Sequence, residues 1–374
     1  MKKFYPVNEP LLDGNEKKYL NECIDSNWIS SEGPFVKKFQ NQMAQLCQRQ
    51  YAIALSSGTS ALELACLALD IKESDEVIIP NLTIISCSNA VVKAGAKPVF
   101  VDVCPETLCL DPQQIEAKIT TKTKAIMIVH LYGLACDVDP ILEIAKKHNL
   151  KVIEDAAEAH GLKYKGKPCG SFGDISIFSF YANKLVSCGE GGMALTNDDA
   201  LFNRINFLKD QAFEKERRFK HNEIGFNMRM TNLQAAVGVA QLERLEEFIQ
   251  IKQSMAEVYD SYLNNLKNVK IAPRSTEYCQ NIYWIYGLIL DTPELALKAQ
   301  EQLREKGIGT RPFFYPLHQQ PLYKEIIDHA ESFPISEHAG HCGFYIPSGL
   351  NLKEQDWNYI GETLKDVLMK VLND

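Results

Sequence analysis

The 374 residues suffice for two domains, or for one large domain and a smaller one, and 45% hydrophobic with 24% charged residues describes a globular chain able to bury a sizeable core. A formal net charge of −8 argues against nucleic acid or an anionic membrane as the main partner, so an anionic substrate must be met by local basic groups. The 11 cysteines, without a CxxC pair, read as free thiols of a reducing compartment. No apolar segment follows the N-terminal lysines and none is long enough to span a bilayer, so the expected location is the cytoplasm. His338, His341 and Cys342 fit no common zinc spacing, and no metal is expected.

In chain order, strands are predicted at Tyr51–Leu55, Glu76–Pro80, Pro98–Val103, Ala125–Leu131, Val152–Asp155 and Ile175–Phe180. Helical patterns at Ala61–Leu69, Ile85–Lys93 and Pro140–His148 lie between them. That alternation argues for an α/β fold with a mainly parallel sheet flanked by helices. One long helix is expected from Thr231 to about Leu266. A strand (Tyr283–Leu290), an amphipathic helix (Glu294–Lys306) and a final helix (Asp356–Leu372) follow it. The last third reads as a smaller α+β domain, which gives a large domain over 1–245 and a small one over 246–374.

Three stretches carry chemistry. Tyr51–Leu69 runs from an apolar strand through Ser56-Ser57-Gly58-Thr59 into a helix, and the open N–H groups and dipole at a helix start suit a phosphate. A plain helix cap would read the same way. Lys151–Gly161, KVIEDAAEAHG, ends a strand in Glu154 and Asp155, where open parallel sheets place functional groups. Asp155 is either a carboxylate for a ring nitrogen or the cap of the next turn. Asp174–Thr196 holds Asn183 and Lys184 in an irregular turn between two apolar strands. An amine pressed there against a ligand is a usable nucleophile. A nicotinamide-type dinucleotide site is disfavoured, because no G-x-G-x-x-G follows the first strand.

The order of these pieces and their surroundings resemble the DegT-like sugar aminotransferases, pyridoxal 5′-phosphate (PLP) enzymes of fold-type I. The resemblance runs through PVNEPLLDGNEKKYLNECIDSNWISSEGPFVKKF, SSGTSALELA, HLYGLACDVD, IEDAAEAHG, GSFGDISIFSF, FNMRMTNLQAAVGVAQLERLE and TRPFFYPLH, nearly the whole chain. It implies that Lys184 links to PLP and then moves the proton, and that Asp155 keeps the ring nitrogen protonated. Ser57, Gly58, Thr59 and Ser179 would hold the phosphate. Glu158, glutamine in many members, would lie near the ring's phenolic oxygen, either protonated or water-bridged. Asn227 would reach the phosphate of a neighbouring subunit, making the enzyme a homodimer with shared sites, or else serve as a turn residue.

For substrate, the resemblance points to Trp28, Lys220, His221, Arg229, Arg311, Phe313, Tyr315 and His318. Phe313 and Tyr315 could equally be core, and Arg229 could hold a local salt bridge. Within the family the chain is nearest to members that move an amine from L-glutamate, by a ping-pong route, to a GDP-linked 4-keto-6-deoxyhexose for surface polysaccharide. Four residues depart from that subgroup or from the family: Ile84 for an aromatic over the PLP ring, Leu185 for threonine, Lys220 for tryptophan and Met228 for tyrosine. The cation at Lys220 opens an alternative acceptor, a smaller phosphorylated ketone or another keto-sugar. A sugar dehydratase relative would carry histidine at position 184, and a non-catalytic regulatory homologue would have lost part of the lysine–aspartate–phosphate set. Neither matches these residues.

Overall fold

The computed structural model describes residues 3–214, 216–217, 219–264, 266–324 and 331–373. Its strands begin with β1 (Tyr51–Leu55), β2 (Glu76–Pro80), β3 (Lys97–Val101), β4 (Thr123–Val129) and β5 (Lys151–Asp155). A small hairpin, β6 (Lys163–Tyr164) and β7 (Lys167–Pro168), leads to β8 (Ile175–Ser179) and β9 (Gly192–Thr196). The main sheet has the order β1-β9-β8-β5-β4-β2-β3. From β8 to β3 all neighbours are parallel, and β9 inserts antiparallel between β8 and β1. Val77, Ile78, Ile79, Ile126, Met127 and Ile128 are all fully buried, the near-continuous apolar pattern of strands covered on both faces.

The register of this sheet brings the chemical stretches together. Gly192 pairs with Leu55 on one side and Ser179 on the other, so the turn after β1 meets the end of β8. A Cβ on Gly192 would lie 2.1 Å from the Ser57 carbonyl oxygen, and one on Gly58 would lie 2.7 Å from Ser179 Cβ. Only glycine at both positions allows that approach. Asp155 pairs with Ile177 and therefore stands beside the same edge.

A second, antiparallel sheet has the order β10 (Val269–Ile271), β11 (Tyr286–Leu290), β13 (Gly343–Ile346) and β12 (Arg311–Pro312). Helices Leu245–Leu263, Pro293–Glu305 and Glu354–Asn373 build a separate core on it, with Met255, Tyr259, Leu288, Leu303 and Leu364.

Two elements differ from the sequence reading. The long helix is two helices, Asn232–Leu242 and Leu245–Leu263. The break falls where Arg244 leaves helical geometry (φ −114°) and pairs with Asp13 and Glu247. The second helix continues the apolar pattern, so the hydrophobic period runs through the break. The strand expected from Tyr283 starts at Tyr286, because Tyr283 sits at φ 49° and its N–H is held by Asn281 Oδ1 at 2.7 Å. All 11 cysteines are free thiols. No helix among the described residues is long and apolar enough to cross a membrane.

Candidate active site

A cavity of about 360 Å³ opens where β5 and β8 end, with Ser57, Gly58, Thr59, Asp155, Ser179 and Lys184 in its lining. Ile84 and Arg311 also line it. Ser57 is the N-cap of helix Gly58–Ala68. Its hydroxyl accepts from Ser60 N–H and its carbonyl from Ala61 N–H. That leaves the N–H groups of Gly58 and Thr59 as the open donors of this helix end, at the positive pole of its dipole. Thr59 Oγ1 lies 2.9 Å from Ser86 Oγ, which adds hydroxyls to the same corner.

Asp155 closes the floor, 2% exposed. Its Oδ1 accepts from Ala157 N–H at 2.9 Å and its Oδ2 from the Cys87 thiol at 3.2 Å. Burial pushes its carboxyl above the ordinary value, opposed by those two donors and by Lys184. A carboxylate kept this far from water, with weak compensation, gains from a cationic N–H partner. Lys184 sits opposite. Its Nζ is 3.3 Å from Glu158 Oε1 and 3.9 Å from the ring centroid of Trp284. Glu158 Oε2 accepts from Tyr132 N–H at 2.8 Å, and burial raises its carboxyl to about 7 against the pull of Lys184.

The floor is braced from behind. Glu154 accepts from Phe172 N–H (2.8 Å), Ser176 Oγ (2.6 Å), His130 Nε2 (3.0 Å) and Gly170 N–H. His130 Nδ1 accepts from Cys136 N–H, which leaves Nε2 as the proton donor. His130, Glu154 and Cys169 are the one buried group among the described residues whose atoms could gather around a metal ion. The Glu154 oxygens are already filled by hydrogen bonds, so the set is a structural knot.

The remaining predicted residues lie outside this cavity in the single chain. Trp28, Lys220, His221 and Asn227 are exposed, with His221 Nδ1 2.9 Å from the Gln211 carbonyl oxygen. Arg229 pairs with Asp210, the local salt bridge the sequence left open. Phe313 is buried, 4.6 Å from the Tyr132 ring, and packs in the core. Its neighbour Phe314 lines the cavity instead. Tyr315 is half exposed with its ring on His341, and His318 is bound to Asn81. Sequence reasoning missed Trp284, Tyr181 and Tyr345 in the lining. Of these, Trp284 carried a signal: a ring N–H in a predicted apolar strand needs a partner.

An amine, a buried carboxylate and an anion-receptive helix start sharing one cavity fit the needs of a PLP-dependent enzyme. They match that cofactor's aldehyde, ring nitrogen and phosphate in turn. The chain belongs to the DegT/DnrJ/EryC1/StrS aminotransferase family, whose model matches residues 10–365. It is 46% identical, over 97% of its length and 98% of the relative, to GDP-perosamine synthase of Escherichia coli O157:H7. It is 43% identical, over 97% and 98%, to GDP-perosamine synthase of Caulobacter vibrioides. Among solved structures it superposes at a TM-score of 0.92 and 26% identity on Spr1654 of Streptococcus pneumoniae, a sugar aminotransferase candidate, in its PLP form, over 98–99% of each chain. The protein is a PLP-dependent aminotransferase.

Proposed function

We propose that the enzyme moves an amino group from L-glutamate to a nucleotide-linked 4-keto-6-deoxyhexose, for surface polysaccharide synthesis. The observation that carries this reading is the meeting of Lys184, Asp155 and the Ser57 helix start in one cavity, in a chain close to two relatives named GDP-perosamine synthase. PLP bound there would supply a reactive aldehyde and an electron sink for the substrate carbon that gives up a proton. Lys184 carries that proton, by virtue of its Nζ standing over the cavity beside Glu158. Asp155 holds a proton on the ring nitrogen, and its burial favours the shared proton over a free charge. Ser57, Gly58, Thr59 and Ser179 would hold the phosphate, and Ile84 would cover the ring by dispersion.

Arg311, on β12 at the rim, meets the acceptor's phosphates. Asn227 would serve the site of a neighbouring subunit in a homodimer with shared sites, a role that its exposure on the single chain supports. Trp28, Lys220 and His221 are exposed in the same way and await the same partner surface. The chain divides into a large PLP-binding domain, 1–245, and a small domain, 246–374, with the helix break at Arg244 as the joint. The work is cytoplasmic.

The test is to prepare the pyridoxamine form with glutamate, then add a panel of keto-sugar nucleotides and small keto-phosphates. A nucleotide-linked 4-keto-6-deoxyhexose should restore the PLP absorbance. Recovery with small keto-phosphates alone would overturn the acceptor and leave the aminotransferase.

A further inference from the structure

We infer that Trp284 is the positioning residue of Lys184, acting at both ends of the lysine: its ring face holds the amine and its indole N–H holds the backbone. The inference rests on the reading of Lys184 as the reacting amine. Trp284 lies just before β11, is 2% exposed and lines the cavity. Its ring centroid is 3.9 Å from Lys184 Nζ, where the negative face of the indole attracts an ammonium, more so out of water. Its Nε1–H donates at 2.8 Å to the carbonyl of Asn183, the residue before the lysine. Asn8 Nδ2 donates to the same carbonyl at 2.6 Å. A lysine stem is flexible, so fixing its root and its tip together removes most of its freedom.

Trp284 is itself tied down. Its own carbonyl accepts from Lys252 Nζ at 3.0 Å, and the same ammonium donates to the Ser348 carbonyl. Lys252 is 1% exposed and has no carboxylate partner among the described residues. A buried ammonium without a counter-ion is costly, and here its hydrogen bonds join helix Leu245–Leu263 and the segment after β13 to the backbone of Trp284. The acidic and basic side chains acting on Lys184 besides the indole are Glu158, Asp155 and His160. Of these, Glu158 alone hydrogen-bonds the amine.

The experiment compares Trp284→Phe, which keeps a ring face and loses the N–H, with Trp284→Leu, which loses both. Three quantities are read: the rate at which the apo-protein captures PLP, followed at its visible band, and kcat and KM for glutamate. Trp284→Leu should slow capture about tenfold and lower kcat at least as much, with KM within about twofold. Trp284→Phe should recover part of both, and Lys252→Met should lose about as much as Trp284→Phe. Capture and kcat within twofold of the parent in Trp284→Leu would overturn the inference while Lys184→Ala stays inactive. Activity in Lys184→Ala would instead overturn the reading beneath it. If Trp284→Leu does not fold, Trp284→Phe and Asn8→Ala decide, since each removes one donor from the Asn183 carbonyl. Both should slow capture, and no effect in Trp284→Phe rejects the hold of the indole N–H on the lysine turn.

Discussion

The floor and the rim of the cavity are built to different standards. On the floor, Asp155 and Glu158 are buried and each carboxylate is held by a backbone N–H. Asp155 is placed by strand register and Glu158 by the Tyr132 N–H, and Glu154 holds the loop of Gly170 and Phe172. At the rim, Ile84 is 38% and Tyr181 47% exposed, and Arg311 stands on a two-residue strand. A floor that cannot shift suits chemistry common to a whole family, whereas a loosely held rim suits changes of acceptor.

Substitutions can break or sharpen this contrast. Lys184→Ala should abolish turnover, a loss of about a thousandfold or more, and remove the visible band of the bound cofactor. Asp155→Asn should cost about a hundredfold in kcat without lowering the unfolding midpoint of the apo-protein, because burial already disfavours the charge being removed. A lower midpoint would make Asp155 a structural anchor instead.

Glu158 gives a pH signature. Its folded value of about 7 lies above the ordinary 4.5, so between those values the folded apo-protein keeps a proton that the unfolded chain has released. The stability contributed by this group therefore falls as pH rises through that window. Glu158→Gln abolishes the dependence. Its stability relative to the parent should rise by about 2–3 kcal/mol from pH 4.5 to 7 in urea unfolding. A difference that is flat with pH would show an unperturbed carboxyl. At the rim, Arg311→Ala should raise KM for the acceptor about tenfold and leave kcat within twofold. A kcat loss as large as that of Asp155→Asn would erase the distinction between floor and rim.

Much of the floor was legible in sequence, because each of its parts is local: a strand, a turn and a helix start. β1, β2 and helix Ile85–Lys93 have the predicted bounds. The fit of Ser57 to Ser179 was not legible, since it depends on β9 entering between β1 and β8 with Gly192 at the contact. The rim was harder. Phe313 and Phe314 are chemically alike in sequence and both rings meet Tyr132, so only the fold shows that Phe313 packs inward against Gly287 and Gly343 while Phe314 lines the cavity. Trp284 was hidden inside an apolar run whose first residues are not strand. The break at Arg244 is set by ion pairs with Asp13 and Glu247, which leave no trace in the hydrophobic period.

Tyr132 adopts left-handed backbone (φ 55°), uncommon for a ring-bearing residue. In that pose its N–H holds Glu158 while its hydroxyl accepts from Phe314 N–H at 3.0 Å. One residue is thus a strut between the buried Glu158 and the cavity-lining Phe314, so widening the entrance for a bulkier sugar also strains the seat of Glu158. Redesign of this enzyme for new acceptors therefore has to treat position 132 as part of the entrance, although it lies in the interior.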